Sequence, residues 1–556
     1  MEVLSVPTKP IDGQKTGTSG LRKKVAHIES IPNYIENWLE SLMLALDGAQ
    51  KGTTFVIGGD GRYLNDKAMI AAIDILFAHG VKHIVVGQRG LLSTPSVSNL
   101  IRQRKAFGGI IMTASHNPAG KEGDWGIKFN CSNGEPAPEK VTDKIYAASM
   151  TLTEIKRVVT ALTFADLEQV GTRTFPGDHV VEVVDSVSDY IALMKTVFDF
   201  PAIKEFLQNK KILFDGMHAV TGIYGRRILV DEFGLDPHTC LENATPLPDF
   251  HQGHPDPNLV YAHDLVAKMM GPDAPIFGAA SDGDGDRNMI MGSNWFVTPS
   301  DSLAIIADYA TRAIPYFVRN GVKGVARSMP TSRAVDAVAA ARKFACYETP
   351  TGWKYFGNLM DGGLANLCGE ESFGTGADHI REKDGLWAVL AWFSILEFEN
   401  RNTSSLVGVR DINEKHWDVY GRHYYCRCDY EECESAGANS MMEHIRASLP
   451  NLKGMELIKD WIVADAREYE YKDPVDGSEA KKQGFIISFA NGSRLVYRLS
   501  GTGSAGATIR VYMEQYVRDW RNEKIADLDK GPLMELSKSI SQIEKFTGRT
   551  APTVIT

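Results

Sequence analysis

The sequence predicts an α/β protein with a mostly parallel sheet, followed by an α+β region. Three observations carry this. Apolar strand-like runs alternate with helical patterns over roughly the first 400 residues. Polar, glycine-rich loops stand directly after those strands. After "FENRNTSSLVGVRDINEKHW" the pattern changes to strands that follow one another. Taken in order, "TTFVIGG" is a strand, Asn65 to Ala78 a helix and Gly80 its C-terminal stop. "VKHIVVG" is a second strand, "STPSVSNLIRQRK" opens a helix and "GGIIMTAS" is a third strand. Strand–helix–strand at this spacing implies right-handed crossovers.

The arrangement recurs. "KKILFDGMHAVTG" reads as strand, polar loop and helix start, and "PIFGAASDGDGDRNMIMG" as strand, acidic loop and strand. "GVARSMPTSRAVDAVAAARK" gives strand, loop and helix, and "ACYETPTGWKYFG" another strand and loop. The blocks share little identity, so the repetition is architectural. Open parallel sheets bind ligands at the carboxyl ends of their strands, where these loops lie. "HYYCRCDYEE", "GFIISFANGSRLVYRLS" and "ATIRVYMEQY" read as antiparallel strands, and Arg467 to Gly484 as a mobile, solvated loop.

Bulk properties narrow the function. A chain of 556 residues exceeds one core, so two to four domains are expected. A net charge of −10 argues against general nucleic-acid binding but leaves room for a local basic pocket. The first residues lack a signal-peptide pattern, and "WAVLAWFSIL" is too short to span a bilayer. Seven cysteines do not make a disulfide framework. A soluble, reduced, cytoplasmic protein with no membrane partner is expected. His423, Cys426, Cys428 and Cys433 lack paired zinc spacing and read as ordinary side chains, with Cys426 and Cys428 on one face of a strand.

Four loops carry chemistry. "DGDGDR" sets Asp282, Asp284 and Asp286 at alternate positions, with glycines that let the three carboxylates converge. Converging anions require a hard divalent cation, and Mg²⁺ suits them; an acidic surface turn is the plain alternative. An EF-hand fails, because its sixth and twelfth positions are Arg287 and Ser293. "RLSGTGSAG" presents Arg498, Ser500, Gly501, Thr502, Gly503 and Ser504. Its match to G-x-G-x-x-G is accidental, since a strand follows and not a helix. Its amides and hydroxyls suit an anion, with Arg498 and Arg510 adding charge, although a simple glycine hairpin would look alike. "CGEESFG" brings acids and a serine to another strand end, and "TGWK" and "HIREKDG" are weaker signals. In "TASHNPAG", Ser115 precedes His116. On an extended segment neighbours point to opposite faces, so His116 is expected to be poorly placed to deprotonate Ser115. A carboxylate metal site with an anion cradle suits phosphoryl transfer, with serine as the covalent carrier.

With "TASHNP", "DGDGDR", "GEESFG" and "RLSGTGS" in this order, the whole chain resembles the α-D-phosphohexomutases. "GTSGLRKKV" and "GWKYFGNLMD" make it similar to the eukaryotic-type phosphoglucomutases. The resemblance implies three related α/β domains and a C-terminal α+β phosphate-binding domain around a central cleft. Residues 1–187 are expected to carry the phosphoserine loop, 188–299 the metal loop, 300–402 the sugar loop, and 403–556 the phosphate site. It implies that Ser115 is the phosphoserine and joins Asp282, Asp284 and Asp286 in holding Mg²⁺. Arg22, His116 and Lys128 would line the transfer site, with Lys383 in sugar recognition and proton transfer. Arg287, Thr351, Glu370 and Ser372 would contact substrate, and Arg498, Ser500, Gly501, Thr502, Gly503, Ser504 and Arg510 the idle phosphate.

The implied reaction interconverts glucose 1-phosphate and glucose 6-phosphate through glucose 1,6-bisphosphate, in a chain expected to be a monomer, with a dimer also compatible. Thr16, Ala119 and Ala377 depart from the family pattern without removing a chemical group assigned to the mechanism. The rivals are a serine phosphomonoesterase, a mutase for mannose or N-acetylglucosamine phosphates, and a regulatory phosphoprotein relative. A phosphomonoesterase needs no second phosphate site, and a silent relative would have lost the serine or an aspartate.

Overall fold

A computed structural model describes every residue except 18, 504, 505, 524 and 526, and the backbone alone at 501–503. Its first sheet has seven strands in the order Leu21–Lys24, Asp124–Cys131, Gly108–Met112, Thr54–Gly59, His83–Leu91, His179–Val184, Gly171–Phe175. The strand Thr54–Gly59 runs parallel to both neighbours. Gly108–Met112 then meets Asp124–Cys131 antiparallel. The second sheet orders Leu241–Glu242, Ile212–Asp215, Phe277–Ser281, Asn288–Gly292 and Trp295–Val297. The third orders Ala345–Thr349, Gly324–Ser328, Leu367–Gly369 and Thr375–Ala377.

These three sheets share one topological event. A parallel strand ends, the chain makes a loop, and it returns antiparallel to that same strand. The returning loops are "TASHNPAG", "DGDGDR" and "GEESFG". The architectural repetition read from the sequence thus becomes three equivalent loops, one in each sheet.

Local chemistry explains the elements beneath them. In the helix Thr94–Gln103, Ser93 accepts from the Ser96 amide, and Pro95 occupies the first turn, where its missing N–H costs nothing. Val97, Leu100 and Ile101, at i, i+3 and i+4, pack on Val56, Val85 and Ile111 of the first sheet. "WAVLAWFSIL" lies inside the helix Gly385–Asn400, which is buried on all sides up to Leu396. It is apolar all round because the second and third sheets share one continuous core, from Val187 to Tyr420, with this helix inside it. Among the described residues no helix is long and apolar enough to cross a membrane.

The last sheet is antiparallel, in the order Val463–Glu468, Phe485–Phe489, Arg494–Gly503, Gly506–Val517, Arg422–Cys433, Val554–Ile555. It meets the third domain through half-buried polar contacts, backed by a buried pair within the sheet itself, Arg494 and Glu514. Tyr425 donates to the Pro330 carbonyl (2.8 Å), and Glu514 accepts from the Arg333 amide (2.9 Å) and from Arg494 (2.5 Å). Burial disfavours the Glu514 charge, but Arg494, His423 and Arg333 outweigh it and hold the carboxyl well below its usual range.

One expectation fails here. Arg467 to Gly484 is not a featureless solvated loop, because Tyr471–Lys472 pairs with Glu479–Ala480 as a hairpin. Asp473 is buried, accepts from Asn358 (3.1 Å) and caps the turn at Val475 (2.8 Å), and Tyr469 donates to the Glu348 carbonyl (2.8 Å). Polar composition concealed these tertiary anchors.

Candidate active site

The carboxylates of Asp282, Asp284 and Asp286 lie within 4.8 Å of one another and are all buried. Among the described residues they form the one group of three or more His, Cys, Asp or Glu side chains close enough to share an ion. Two glycines make this possible for different reasons. Gly285 adopts φ +81°, in the left-handed region, and a Cβ on Gly283 would stand 2.3 Å from the Ser115 carbonyl oxygen. The metal loop therefore presses against the serine loop backbone to backbone.

Burial, with Asp286 and Asp284 beside it, raises the Asp282 carboxyl well above its ordinary range. Burial also acts against the Asp284 charge, but Lys128, the Thr94 hydroxyl, Lys383 and Arg22 together hold Asp284 below its ordinary value. One oxygen each of Asp284 and Asp286 is buried without a hydrogen-bond partner. An orphaned pair of carboxylate oxygens beside a third carboxylate fits a hard divalent cation, the same donor set that Mg²⁺ takes.

Ser115 Oγ donates to Asp282 Oδ2 at 2.9 Å, across 167 positions of sequence. The residue is itself in the left-handed region, φ +53°. That turn corrects the expectation that Ser115 and His116 face apart. The alternation rule holds for extended backbone, whereas here His116 Nδ1 lies 3.3 Å from Ser115 Oγ. Burial lowers the His116 pKa well below 6.5, and Arg287, Arg22, His254 and Lys383 add to this. The imidazole is therefore neutral near pH 7 and competent to accept a proton or a hydrogen bond.

Cations ring the carboxylates. Lys128 Nζ is 3.3 Å from Asp284 and 3.9 Å from Glu382, and Lys383 Nζ is 3.3 Å from Asp286. Burial opposes both lysine charges, yet the carboxylates win and raise each above its ordinary value. Arg287 donates its amide to Asp282 (3.0 Å) and its guanidinium to Asp256 (3.2 Å). Arg22, on the strand Leu21–Lys24, is lowered mainly by burial, and its Nε is buried without a partner. An unpartnered guanidinium N–H near Asp284 and Asp286 is a donor free to take an anion.

The sugar-loop residues divide. Glu370 is buried, which raises its carboxyl; Ser372 donates to it at 3.3 Å, and its electrostatic partners include Lys383 and Arg287. The Arg287–Gly374 bridge and the Asn288 amide on the Phe373 carbonyl (2.9 Å) tie this loop to the metal loop. Thr351 sits past the strand Ala345–Thr349, its buried hydroxyl unpartnered and making no polar contact with the first cluster. On the C-terminal sheet Arg498 pairs in register with Arg510, and Arg498 donates to the Tyr512 hydroxyl at 3.3 Å. The backbone of Ser500, Gly501, Thr502 and Gly503 continues that strand, and Ser504 lies outside the described residues.

Sequence reading missed the residues that hold this machinery. Arg62, fully buried, donates to the Ser115 carbonyl (2.9 Å), the Asp124 carbonyl (2.8 Å) and Asp60 (2.8 Å). Thr113 Oγ1 donates to Asp60 (2.6 Å) and accepts the Ser115 amide (2.7 Å). Thr94 donates to Asp284 (2.6 Å), and Asn130 to Glu382 (2.8 Å). Burial raises the Glu382 carboxyl to about 7, against the pull of Lys128. In the cradle, Asp429 pairs with both Arg427 (3.2 Å) and Arg510 (3.6 Å). Thr113 and Glu382 stand inside the loops "TASHNPAG" and "HIREKDG" but were not singled out there, and the others lie outside the chemical loops.

The arrangement offers a serine hydroxyl on a carboxylate triad, a neutral imidazole, several fixed cations and a separate arginine pair. The chain as a whole is similar to known proteins. Residues 13–156, 188–295 and 298–411 match family models for phosphoglucomutase/phosphomannomutase α/β/α domains I, II and III. Residues 422–553 match the phosphoglucomutase-1 C-terminal domain. The chain is 54% identical over 562 residues to chloroplastic phosphoglucomutase 1 of Marchantia polymorpha, covering 100% of this chain and 85% of that one. It is 50% identical over 585 residues to cytoplasmic phosphoglucomutase of Pisum sativum, covering 100% and 99%. Among solved structures, the open form of Paramecium pp63/parafusin, described as an exocytosis-sensitive phosphoprotein and phosphoglucomutase, superposes with a TM-score of 0.91. It shares 46% identity over 100% of this chain and 99% of its own.

Proposed function

The chain belongs to the phosphoglucomutase/phosphomannomutase family, and on that premise we propose that this enzyme interconverts α-D-glucose 1-phosphate and glucose 6-phosphate with Ser115 as phosphate carrier. The observation that carries the reading is the Ser115 hydroxyl, 2.9 Å from the buried aspartate triad and aimed at it by a left-handed backbone.

Asp282, Asp284, Asp286 and the Ser115 oxygen would hold Mg²⁺, which when bound offsets negative charge on the transferring phosphoryl group. The protein's own groups do the rest. In the first half-reaction the phosphorus–oxygen bond to Ser115 breaks and a new one forms to the free sugar hydroxyl. That hydroxyl loses its proton, and the serine oxygen regains one. Neutral His116, 3.3 Å from Ser115 Oγ, is placed to exchange the proton at the serine oxygen. Lys128, Lys383 and Arg287, preorganised by their carboxylate partners, and Arg22, with a free buried Nε, present fixed positive charge to the phosphoryl oxygens. Glucose 1,6-bisphosphate then turns end for end, and the other phosphate returns to Ser115.

Glu370, Ser372 and Thr351 supply acceptors and donors to sugar hydroxyls, while Arg498, Ser500, Thr502, Ser504 and Arg510, with the amides of Gly501 and Gly503, hold the idle phosphate. Glucose is preferred over mannose or N-acetylglucosamine on the names of the relatives. We divide the chain into units of 1–187, 188–299, 300–402 and 403–556, and take it to work as a monomer in the cytoplasm. All seven cysteines are free, which suits a reducing compartment, and chloroplastic relatives are slightly more similar than cytoplasmic ones, 54% against 50%.

The test is turnover of glucose 1-phosphate by the full chain with Mg²⁺ and trace glucose 1,6-bisphosphate. Formation of glucose 6-phosphate that Ser115→Ala abolishes supports the reading. Equal behaviour of parent and variant refutes it.

A further inference from the structure

Cys426 and Cys428 sit two apart on the strand Arg422–Cys433, and their sulfur atoms are 3.9 Å apart. Both side chains face the core of the C-terminal domain. Cys428 is fully buried, while Cys426 is 8% exposed and lines a cavity of about 720 Å³, together with Phe296, Thr298, Trp417, Tyr424 and Thr556. Arg427, between the two thiols, points to the other face, where it shares Asp429 with Arg510. The other free thiols are not paired in this way: Cys433 donates to the Tyr430 carbonyl, and Cys346 bonds to Asp336.

We propose that Cys426 and Cys428 form an oxidisable dithiol, and that closing it into a disulfide displaces Arg427 from the phosphate cradle. The oxidant is a hydroperoxide entering the cavity. The Cys426 thiolate attacks the peroxide, the O–O bond breaks, and a sulfenic acid forms as the alcohol or water leaves. Cys428 sulfur then attacks the sulfenic sulfur, the S–O bond breaks, and hydroxide departs with the Cys428 proton as a second water. Two thiols and one hydroperoxide thus give one disulfide, one alcohol and one water, or two waters from hydrogen peroxide.

Geometry links this chemistry to the cradle. Residues two apart on a strand have Cα atoms about 6.6 Å apart, at the long end of what a disulfide spans. Bringing the sulfurs from 3.9 Å to about 2.05 Å therefore puckers the strand at the intervening residue. That residue is Arg427, whose amide and carbonyl also pair with Thr556, just past the edge strand Val554–Ile555. The effect on turnover rests on the mutase reading, whereas formation of the disulfide does not.

The experiment treats the full native chain with one equivalent of hydrogen peroxide, alkylates the remaining thiols, and digests it without reductant. Trypsin cleaves after Arg427, so a disulfide joins two otherwise separate peptides, His423–Arg427 and one beginning at Cys428. A second cut after Glu431 or Glu432 separates Cys428 from Cys433. The expected result is a linked Cys426–Cys428 pair, released by dithiothreitol. KM for glucose 1-phosphate should rise about tenfold, as for one charged hydrogen bond lost. Cys426→Ser and Cys428→Ala should keep the parent's basal KM and lose its response to peroxide. Absence of the linked peptide overturns the proposal, and so does a linked pair with unchanged KM or equal peroxide sensitivity in both variants. A chain that forms the linked pair but turns over no sugar phosphate at all would fault the mutase reading and leave the thiol chemistry standing.

Discussion

Replacing Thr113 with valine keeps the shape of the side chain and removes one hydroxyl. That hydroxyl accepts the Ser115 amide at 2.7 Å and donates to Asp60 at 2.6 Å. With Arg62 on the Ser115 carbonyl, it is one of two polar restraints that keep Ser115 at φ +53°. A left-handed backbone costs a residue with a Cβ about 1–2 kcal/mol. If Thr113→Val releases that strain, the fraction of molecules with Ser115 aimed at Asp282 falls about five- to thirty-fold, since about 1.4 kcal/mol is tenfold. The expected outcome is a kcat lowered by that factor with KM for glucose 1-phosphate little changed, because Thr113 is the buried first residue of the carrier loop and faces no substrate. The buried Ser115 N–H left unpaired, with one bond lost at an Asp60 oxygen that keeps Arg62, should also lower unfolding stability by about 1–3 kcal/mol. Turnover is followed by coupling glucose 6-phosphate to dehydrogenase-driven reduction of a nicotinamide. A kcat within about twofold of the parent, alongside a clear loss of stability, would refute the positioning argument.

Other expectations follow from the same geometry. Arg62→Met leaves Asp60 as an unpaired buried charge and should cost about 3–5 kcal/mol of stability, with Asp60→Asn in the same chain recovering much of it; chemical denaturation of the two single and the double variants measures both. Arg510→Gln should raise KM for glucose 1-phosphate by about tenfold or more with a smaller change in kcat, as expected for an idle-phosphate contact; steady-state kinetics separates the two. Removing Mg²⁺ with a chelator should lower the melting temperature, because an ion at 100 times its Kd stabilises by about 2.7 kcal/mol; Asp282→Asn should blunt that shift. Burial lowers the His416 pKa to about 4, with His423 acting in the same direction and Asp308 opposing. The unfolded state then binds more protons between its ordinary pKa and that value, so stability is full above about pH 6.5 and falls toward pH 4, by roughly 3 kcal/mol at most. His416→Leu should flatten that acid limb in denaturation midpoints measured across the window.

The three site loops were legible because each is a compact local pattern. Glycines at alternate positions announce convergence in "DGDGDR", whatever the rest of the chain does. Strand periodicity placed each loop at a sheet edge, and the structure adds that all three return antiparallel to the same kind of strand. The orientation of Ser115 and His116 was not legible, because it depends on one backbone angle held by Arg62 and Thr113. Contacts such as Thr94 to Asp284 and Asn130 to Glu382 span 190 and 252 positions, and no local period encodes them. Charge misled at Arg467–Gly484, where buried Asp473 and Tyr469 anchor a hairpin that composition alone renders as solvent-exposed chain. His423, whose spacing from its neighbouring cysteines lacks a zinc pattern, binds Glu514 at 2.6 Å.

The central claim is that Ser115 carries a phosphoryl group that passes to and from the sugar. Incubating the chain with Mg²⁺ and glucose 1,6-bisphosphate labelled in its phosphates, then mapping the labelled peptide, measures this directly. The account predicts label on Ser115 alone, chased completely into sugar phosphate when unlabelled glucose 1-phosphate is added. Label on another residue, or label on Ser115 that the substrate does not remove, would contradict it.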